Sequence, residues 1–146
     1  MKKKEFRITI DAPREKVWNV IIGKDTYPVW TAVFAEGSTV ETDWKKGSKA
    51  LFLDGKGSGM VSEIAENIPF EYLSIRHLGE IINGKEDTDS EKVKEWAGAF
   101  ENYTLTEKEG KTEWLTEMDV TEEFGDYFDK TWPQAMEKAK ELAEKK

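Results

Sequence analysis

TEWLTEMDVTEEFGDYFDKTWPQAM, residues Thr112–Met136, is the stretch whose reading decides the fold. As far as Val120 it is the second arm of a hairpin. Beyond that point apolar residues return every three to four positions, at Phe124, Phe128, Trp132, Met136 and Ala139, with Leu142 and Ala143 further on. Glu and Lys fill the other face, which is the signature of an amphipathic helix. At ~1.5 Å per residue, residues 122–144 would span roughly 34 Å, about the length of a ten-residue strand. Most helical stability comes from tertiary packing. The aromatic stripe must therefore lie on a sheet. Pro133 lacks an N–H, so it either starts the main helix or kinks it.

Working back towards the N-terminus, residues 37 to 121 read as strands punctuated by turns. Trp96–Thr106 and Thr112–Val120 face each other across Glu109-Gly110-Lys111, a hairpin signal. Earlier strands are expected over Thr39–Trp44, Ala50–Leu53, Met60–Ala65 and Tyr72–Leu78. Each ends at turn residues: Lys46-Gly47, Asp54-Gly55, Asn67-Ile68-Pro69 and Gly79. Residues 84–92 are a charged loop or hairpin tip. Strands at such spacing form an antiparallel meander.

The chain opens with alternation over residues 4–11: Phe6, Ile8 and Ile10 on one face, Arg7, Thr9 and Asp11 on the other, a half-buried strand. Ala12-Pro13-Arg14-Glu15 then starts a helix with Pro in its first turn, striped by Val17, Val20 and Ile21 and stopped at Gly23. Asp25 or Thr26 is placed to cap a second short helix carrying Tyr27, Trp30 and Phe34. The expected fold is α+β: a curved antiparallel sheet of six to seven strands wrapped around a long C-terminal helix, with two short helices after strand 1. No domain boundary or repeat interrupts residues 1–146.

Composition narrows the chemistry. The 146 residues contain no cysteine, which excludes disulfides, thiolate zinc sites and cysteine nucleophiles. A net charge of −8 lacks the basic footprint that nucleic acid requires. The basic N-terminus leads into no apolar signal segment, and no run approaches the ~18 apolar residues of a membrane span, so a cytoplasmic protein without membrane insertion is expected. Six Trp, seven Phe and four Tyr sit in a chain that is only 38% hydrophobic. Such rings either fill one core or line a hollow.

The order strand, two short helices, strands, long helix is that of the helix-grip fold. Ile8-Thr9-Ile10-Asp11-Ala12-Pro13 with Val17-Trp18, then Trp30, Glu36-Gly37-Ser38 and Asp43-Trp44-Lys45-Lys46-Gly47-Ser48 carry a closer likeness. It continues in Gly59-Met60-Val61-Ser62-Glu63-Ile64, Tyr103-Thr104-Leu105-Thr106-Glu107 and Trp132-Pro133-Gln134-Ala135-Met136. In these motifs the chain resembles proteins similar to the activator of heat-shock-protein-90 ATPase homologue 1, within the START, polyketide-cyclase and birch-pollen-allergen (SRPBCC) superfamily. The resemblance runs from about residue 5 to residue 144. Met136 and Ala139 stand where that family usually carries leucines, which implies a softer or roomier pocket floor.

The resemblance implies an apolar pocket between sheet and helix. Its candidate lining is Trp30, Phe34, Phe52, Ile75, His77, Trp96, Phe100, Trp114, Phe128, Trp132 and Met136. Rings with polar handles suit a mostly apolar site with a few orienting groups. His77, the single histidine, shares a face with Leu73 and Ile75 and is the one side chain suited to proton transfer near neutral pH. No catalytic residue is assigned, since no Gly-x-Ser-x-Gly elbow accompanies it.

Gly55-Lys56-Gly57-Ser58-Gly59 lacks Walker spacing and leads into a strand, so it reads as a turn rather than a phosphate loop. Asp87-Thr88-Asp89-Ser90-Glu91 lacks the glycine and length of a calcium loop. No cofactor or metal is expected. The leading expectation is binding of a hydrophobic or aromatic small molecule; the alternatives are a chaperone-associated partner and a cyclase- or hydrolase-type enzyme using the same cavity. The sequence does not fix the oligomeric state.

Overall fold

The computed structural model describes residues 1–145. Strand β1 (Lys2–Ile10) leads into helix α1 (Arg14–Ile22), the one-turn helix α2 (Tyr27–Trp30) and a 3-10 turn (Thr31–Val33). Seven strands follow: β2 (Thr39–Glu41), β3 (Lys49–Leu53), β4 (Gly59–Ile68), β5 (Tyr72–Ile82), β6 (Lys85–Asp87), β7 (Phe100–Lys108) and β8 (Lys111–Val120). A single helical turn, α3 (Glu91–Lys94), lies between β6 and β7, and helix α4 (Glu122–Glu144) closes the chain. The sheet runs β1-β8-β7-β5-β4-β3-β2, antiparallel throughout, with β6 paired to the far end of β5. This is the expected helix-grip architecture.

The boundaries differ where turn chemistry was under-read. Asn83 and Gly84 both have positive φ, 51° and 79°, and of the two readings of residues 84–92, loop or hairpin tip, the hairpin holds: they begin with its return arm. Ser90 then caps α3, its Oγ accepting from the Val93 N–H at 3.3 Å. Glu109 and Gly110, at 55° and 79°, make the same turn between β7 and β8. The strand expected over Thr39–Trp44 stops at Glu41, because Trp44 takes a left-handed φ of 64°.

Gly23 ends α1 for a reason of space. Its φ is −64°, yet a Cβ there would lie 2.3 Å from the Asn19 carbonyl oxygen and 2.5 Å from Thr26 Oγ1. Thr26 does not cap α2 with its side chain; its hydroxyl donates to the Val20 carbonyl at 2.7 Å, closing the end of α1 instead.

Pro133 neither starts nor ends a helix, since α4 begins well before it at Glu122. The N–H that Pro133 lacks leaves a backbone carbonyl of the preceding turn without its helical partner. Side chains supply donors nearby: Thr131 Oγ1 to the Tyr127 carbonyl at 2.8 Å and Gln134 Nε2 to the Lys130 carbonyl at 3.0 Å.

One buried cluster joins the sheet to α1, α2 and α4, and its centre is aromatic. Trp30, Trp114 and Trp132 are 1%, 0% and 3% exposed. Trp30 and Trp114 meet edge-on with ring centroids 5.5 Å apart, while Trp132 lies 6.0 Å from Trp30 and 6.2 Å from Trp114. Edge-to-face pairs at such distances add about 0.5–1.5 kcal/mol each beyond burial. This end of the grip is solid.

Candidate functional site

At the other end, sheet and helix part. Between the N-terminal half of α4, the α2 segment and the inner face of β3–β5 and β7 lies a recess of about 440 Å³. The α4 side presents Phe124, Tyr127, Phe128 and Trp132; the α2 segment presents Tyr27, Trp30 and Phe34. The sheet contributes Phe52, Met60, His77, Glu101, Tyr103 and Met118, and Trp96 enters from the connection between α3 and β7. Met1, Phe124 and Tyr127, at 63%, 48% and 42% exposure, stand at its mouth. Gly59 belongs to the wall because the Phe52 carbonyl oxygen would lie 2.0 Å from any Cβ there.

The polar end is built by strand register. Irregular pairing between β4 and β5 sets Ser62 directly opposite His77; such bulges re-aim side chains. Ser62 Oγ lies 2.7 Å from His77 Nδ1, and His77 Nε2 lies 3.1 Å from Glu101 Oε1. The Tyr103 hydroxyl donates to Glu101 Oε2. A carboxylate only accepts, so His77 carries a proton on Nε2; in the neutral tautomer the Ser62 hydroxyl then donates to Nδ1. That assignment leaves both imidazole nitrogens engaged.

Burial first, and the Glu101 charge second, push the phenols of Tyr27 and Tyr103 far above their usual range. Both remain protonated donors across the whole working pH range.

Of the expected lining, Trp30, Phe34, Phe52, His77, Trp96, Phe128 and Trp132 do come together on this recess. Ile75, Trp114 and Met136 do not: each is at most 1% exposed and sits in the packed cluster. Ala139 is there too, so Met136 and Ala139 set the packing of the core and form no pocket floor. Phe100 points away, 38% exposed. Its strand turns Glu101, Tyr103 and Leu105 inward, with Tyr103 opposite Thr116 and Leu105 opposite Trp114.

Glu101 and Tyr103 were missed, as were Tyr27, Met60, Met118, Phe124 and Tyr127. Favouring the apolar Phe100 as an inward residue put the strand on the wrong parity, and a slip of one residue exchanges the two faces. The inward Tyr103 and Leu105, two apart just before the Glu109-Gly110 turn, were the available signal.

Ser, His and Glu thus stand in the order of a hydrolytic triad, but with the imidazole reversed, Ser62 on Nδ1 and Glu101 on Nε2. Ser62 is 0% exposed beneath the imidazole, so no substrate atom reaches its hydroxyl. Among the described residues no group of three or more His, Asp or Glu is placed to hold a metal ion. No described helix is long and apolar enough to cross a membrane.

A curved antiparallel sheet gripping a long helix, with an aromatic recess at one end, defines a helix-grip domain. The family model described as "Activator of Hsp90 ATPase homolog 1-like protein" matches residues 11–144, and the chain belongs to that family. Solved structures agree in fold at low identity. Protein MLL2253 from Mesorhizobium loti superposes with a TM-score of 0.74 at 17% identity, over 97% of this chain and 96% of its own. The Aha1 dimer from Colwellia psychrerythraea gives 0.72 at 19% identity, over 99% and 97%. CalU16 from Micromonospora echinospora gives 0.68 at 17% identity, over 97% and 74%. No protein of curated function matches the sequence.

Proposed function

We propose that this protein binds an apolar or aromatic small molecule in the recess between α4 and the sheet. One observation carries the reading. Rings that a solid core would bury, among them Phe34, Phe52, Trp96 and Phe128, are left only partly buried around a volume of about 440 Å³. Small-molecule pockets measure roughly 300–1,000 Å³ and combine apolar walls with a few convergent polar groups. Tyr27, Tyr103, His77 and Glu101 are such groups. Leaving rings half-hydrated forgoes burial energy of about 25 cal/mol per Å². A ligand that covers them recovers it.

The test is titration with the neutral fluorescent probe N-phenyl-1-naphthylamine. A saturable rise in emission with one-to-one stoichiometry is expected. Met60→Trp, which extends a half-buried wall residue into the recess, should remove the rise while leaving the unfolding transition cooperative. No saturable signal in the wild-type chain, or an undiminished one in folded Met60→Trp, would sink the proposal.

A further inference from the structure

Resting on that reading, we infer that the recess selects ligands carrying a protonated amine, with Glu101 as the group that receives it. Glu101 is an anion held in an aromatic box. Its side chain is 16% exposed, and among the described residues no lysine or arginine comes within ion-pair distance of it. Its titratable partners are the Tyr103 phenol, a neutral donor, and His77, which is neutral in the tautomer whose Nδ1 accepts from Ser62. In that tautomer the carboxylate at the inner wall has no permanent cation beside it. Burying such a charge is costly unless something compensates it.

The carboxylate has capacity to spare. It offers about four acceptor positions, and two are taken, by His77 Nε2 and the Tyr103 hydroxyl. Neither protein partner carries a permanent charge, so they orient the carboxylate without the fixed countercharge a lysine or arginine would bring. An ammonium group brings up to three N–H donors and a full positive charge, and charge-assisted hydrogen bonds are about twice as strong as neutral ones.

The walls point the same way. Tyr27 and Phe52 lie 6.3 Å apart by ring centroid at this end, and Phe52 stands edge-on to His77 at 6.2 Å. Aromatic faces attract a cation within about 6 Å. The rim adds charge of the same sign, from Asp54, Glu80 and Asp119 against Lys92 alone. These rim carboxylates are already engaged: Asp54 by the N–H groups of Lys56 and Ser58, Asp119 by that of Phe100, and Glu80 by Lys92 at 3.7 Å. An anionic ligand meets repulsion at every acidic group. A neutral one leaves Glu101 uncompensated.

A matched series on one skeleton decides it: 2-naphthylmethylamine, 2-naphthylmethanol and 2-naphthoic acid, each displacing N-phenyl-1-naphthylamine at pH 7. The amine is expected to bind roughly tenfold more tightly than the alcohol, and the acid most weakly. Glu101→Gln should bring amine and alcohol together while the neutral probe still binds. Glu113→Gln, on the outer face of β8 and outside the recess, should leave the ratio unchanged. In the wild-type chain alone, the amine preference should survive 0.5 M NaCl, since a partly buried pair is screened far less than the acidic surface.

Equal or tighter binding of the alcohol or acid would overturn the inference and leave the pocket standing. So would a preference that persists in Glu101→Gln or vanishes with salt. Failure of the neutral probe and all three naphthyl compounds to bind would remove the pocket reading and this inference together.

Discussion

Trp114 and Trp96 are one residue type in two settings. Trp114 is 0% exposed and is met edge-on by Trp30 and Tyr103 at 5.5 and 5.6 Å. Trp96 stands partly exposed on a connection at the far end of the same interior, with a hollow before it. The contrast extends to their neighbourhoods. Around Trp114 the helices α1, α2 and α4 close on the sheet. Around Trp96 and Phe52 a recess lies between the first turns of α4 and the sheet. One end of the grip spends its rings on holding the fold, and the other keeps them available. Aromatic content alone does not distinguish these uses; whether a ring is fully enclosed or borders the recess does.

Substitutions should separate the two ends sharply. Trp114→Ala removes a fully enclosed ring and should cost about 3–5 kcal/mol in denaturant unfolding. A loss under 1 kcal/mol would mean that the packed end is not packed. Phe52→Ala, on the wall of the recess, should cost about 1–2 kcal/mol, because its ring is only partly removed from water. Its larger effect should appear in a weaker affinity for N-phenyl-1-naphthylamine. The reverse ranking would erase the distinction between the ends.

Trp132 stands between the two, lining the recess yet 3% exposed, and its indole N–H is buried without a partner among the described residues. Trp132→Phe deletes that unsatisfied donor, which ordinarily costs about 1–3 kcal/mol to bury. It also deletes ring area, so the net change in the unfolding midpoint should be small. A loss as large as that of Trp114→Ala would show that the N–H has a partner in solution.

The smallest effects belong to the surface. Lys140 holds Glu144 below the usual carboxylate range, Lys46 does the same for Glu66, and the Ser90 hydroxyl does so for Asp87. A carboxylate whose folded pKa is depressed stabilises the fold above its unfolded pKa, and that contribution is lost as pH falls through the folded value. Stability should therefore decline as pH drops below about 4.5. Glu144→Gln should make the decline slightly shallower, measured as thermal midpoint against pH. An unchanged or steeper decline would show that Glu144 contributes no such linkage. The sites are solvent-exposed, and exposed pairs contribute little.

The sheet, the two short helices and the long one were legible because period carries them: alternation in Phe6, Ile8 and Ile10, and a three-to-four spacing from Phe124 to Ala139. Tight turns were legible where Gly announced them, at Gly110, and less firmly at Asn83-Gly84, where charged neighbours left a loop and a hairpin tip both open. The recess was legible only in part. Its rings on α2 and α4 follow from helical periodicity. Glu101 and Tyr103 depend on strand parity, which pairing with β8 sets from outside β7. The fate of each ring depends on long-range packing that no local pattern encodes, so Trp114 and Trp96 look alike on the page.

That difference is open to direct observation in the six tryptophan indole signals of a two-dimensional ¹H–¹⁵N spectrum, followed while N-phenyl-1-naphthylamine is titrated in. The indoles of Trp30, Trp96 and Trp132 should shift together and saturably, with Trp96 moving furthest, while Trp18 and Trp44, outside the recess, hold still. A spectrum that does not move, or one in which Trp18 and Trp44 shift and Trp96 does not, would contradict a hollow at this end of the grip.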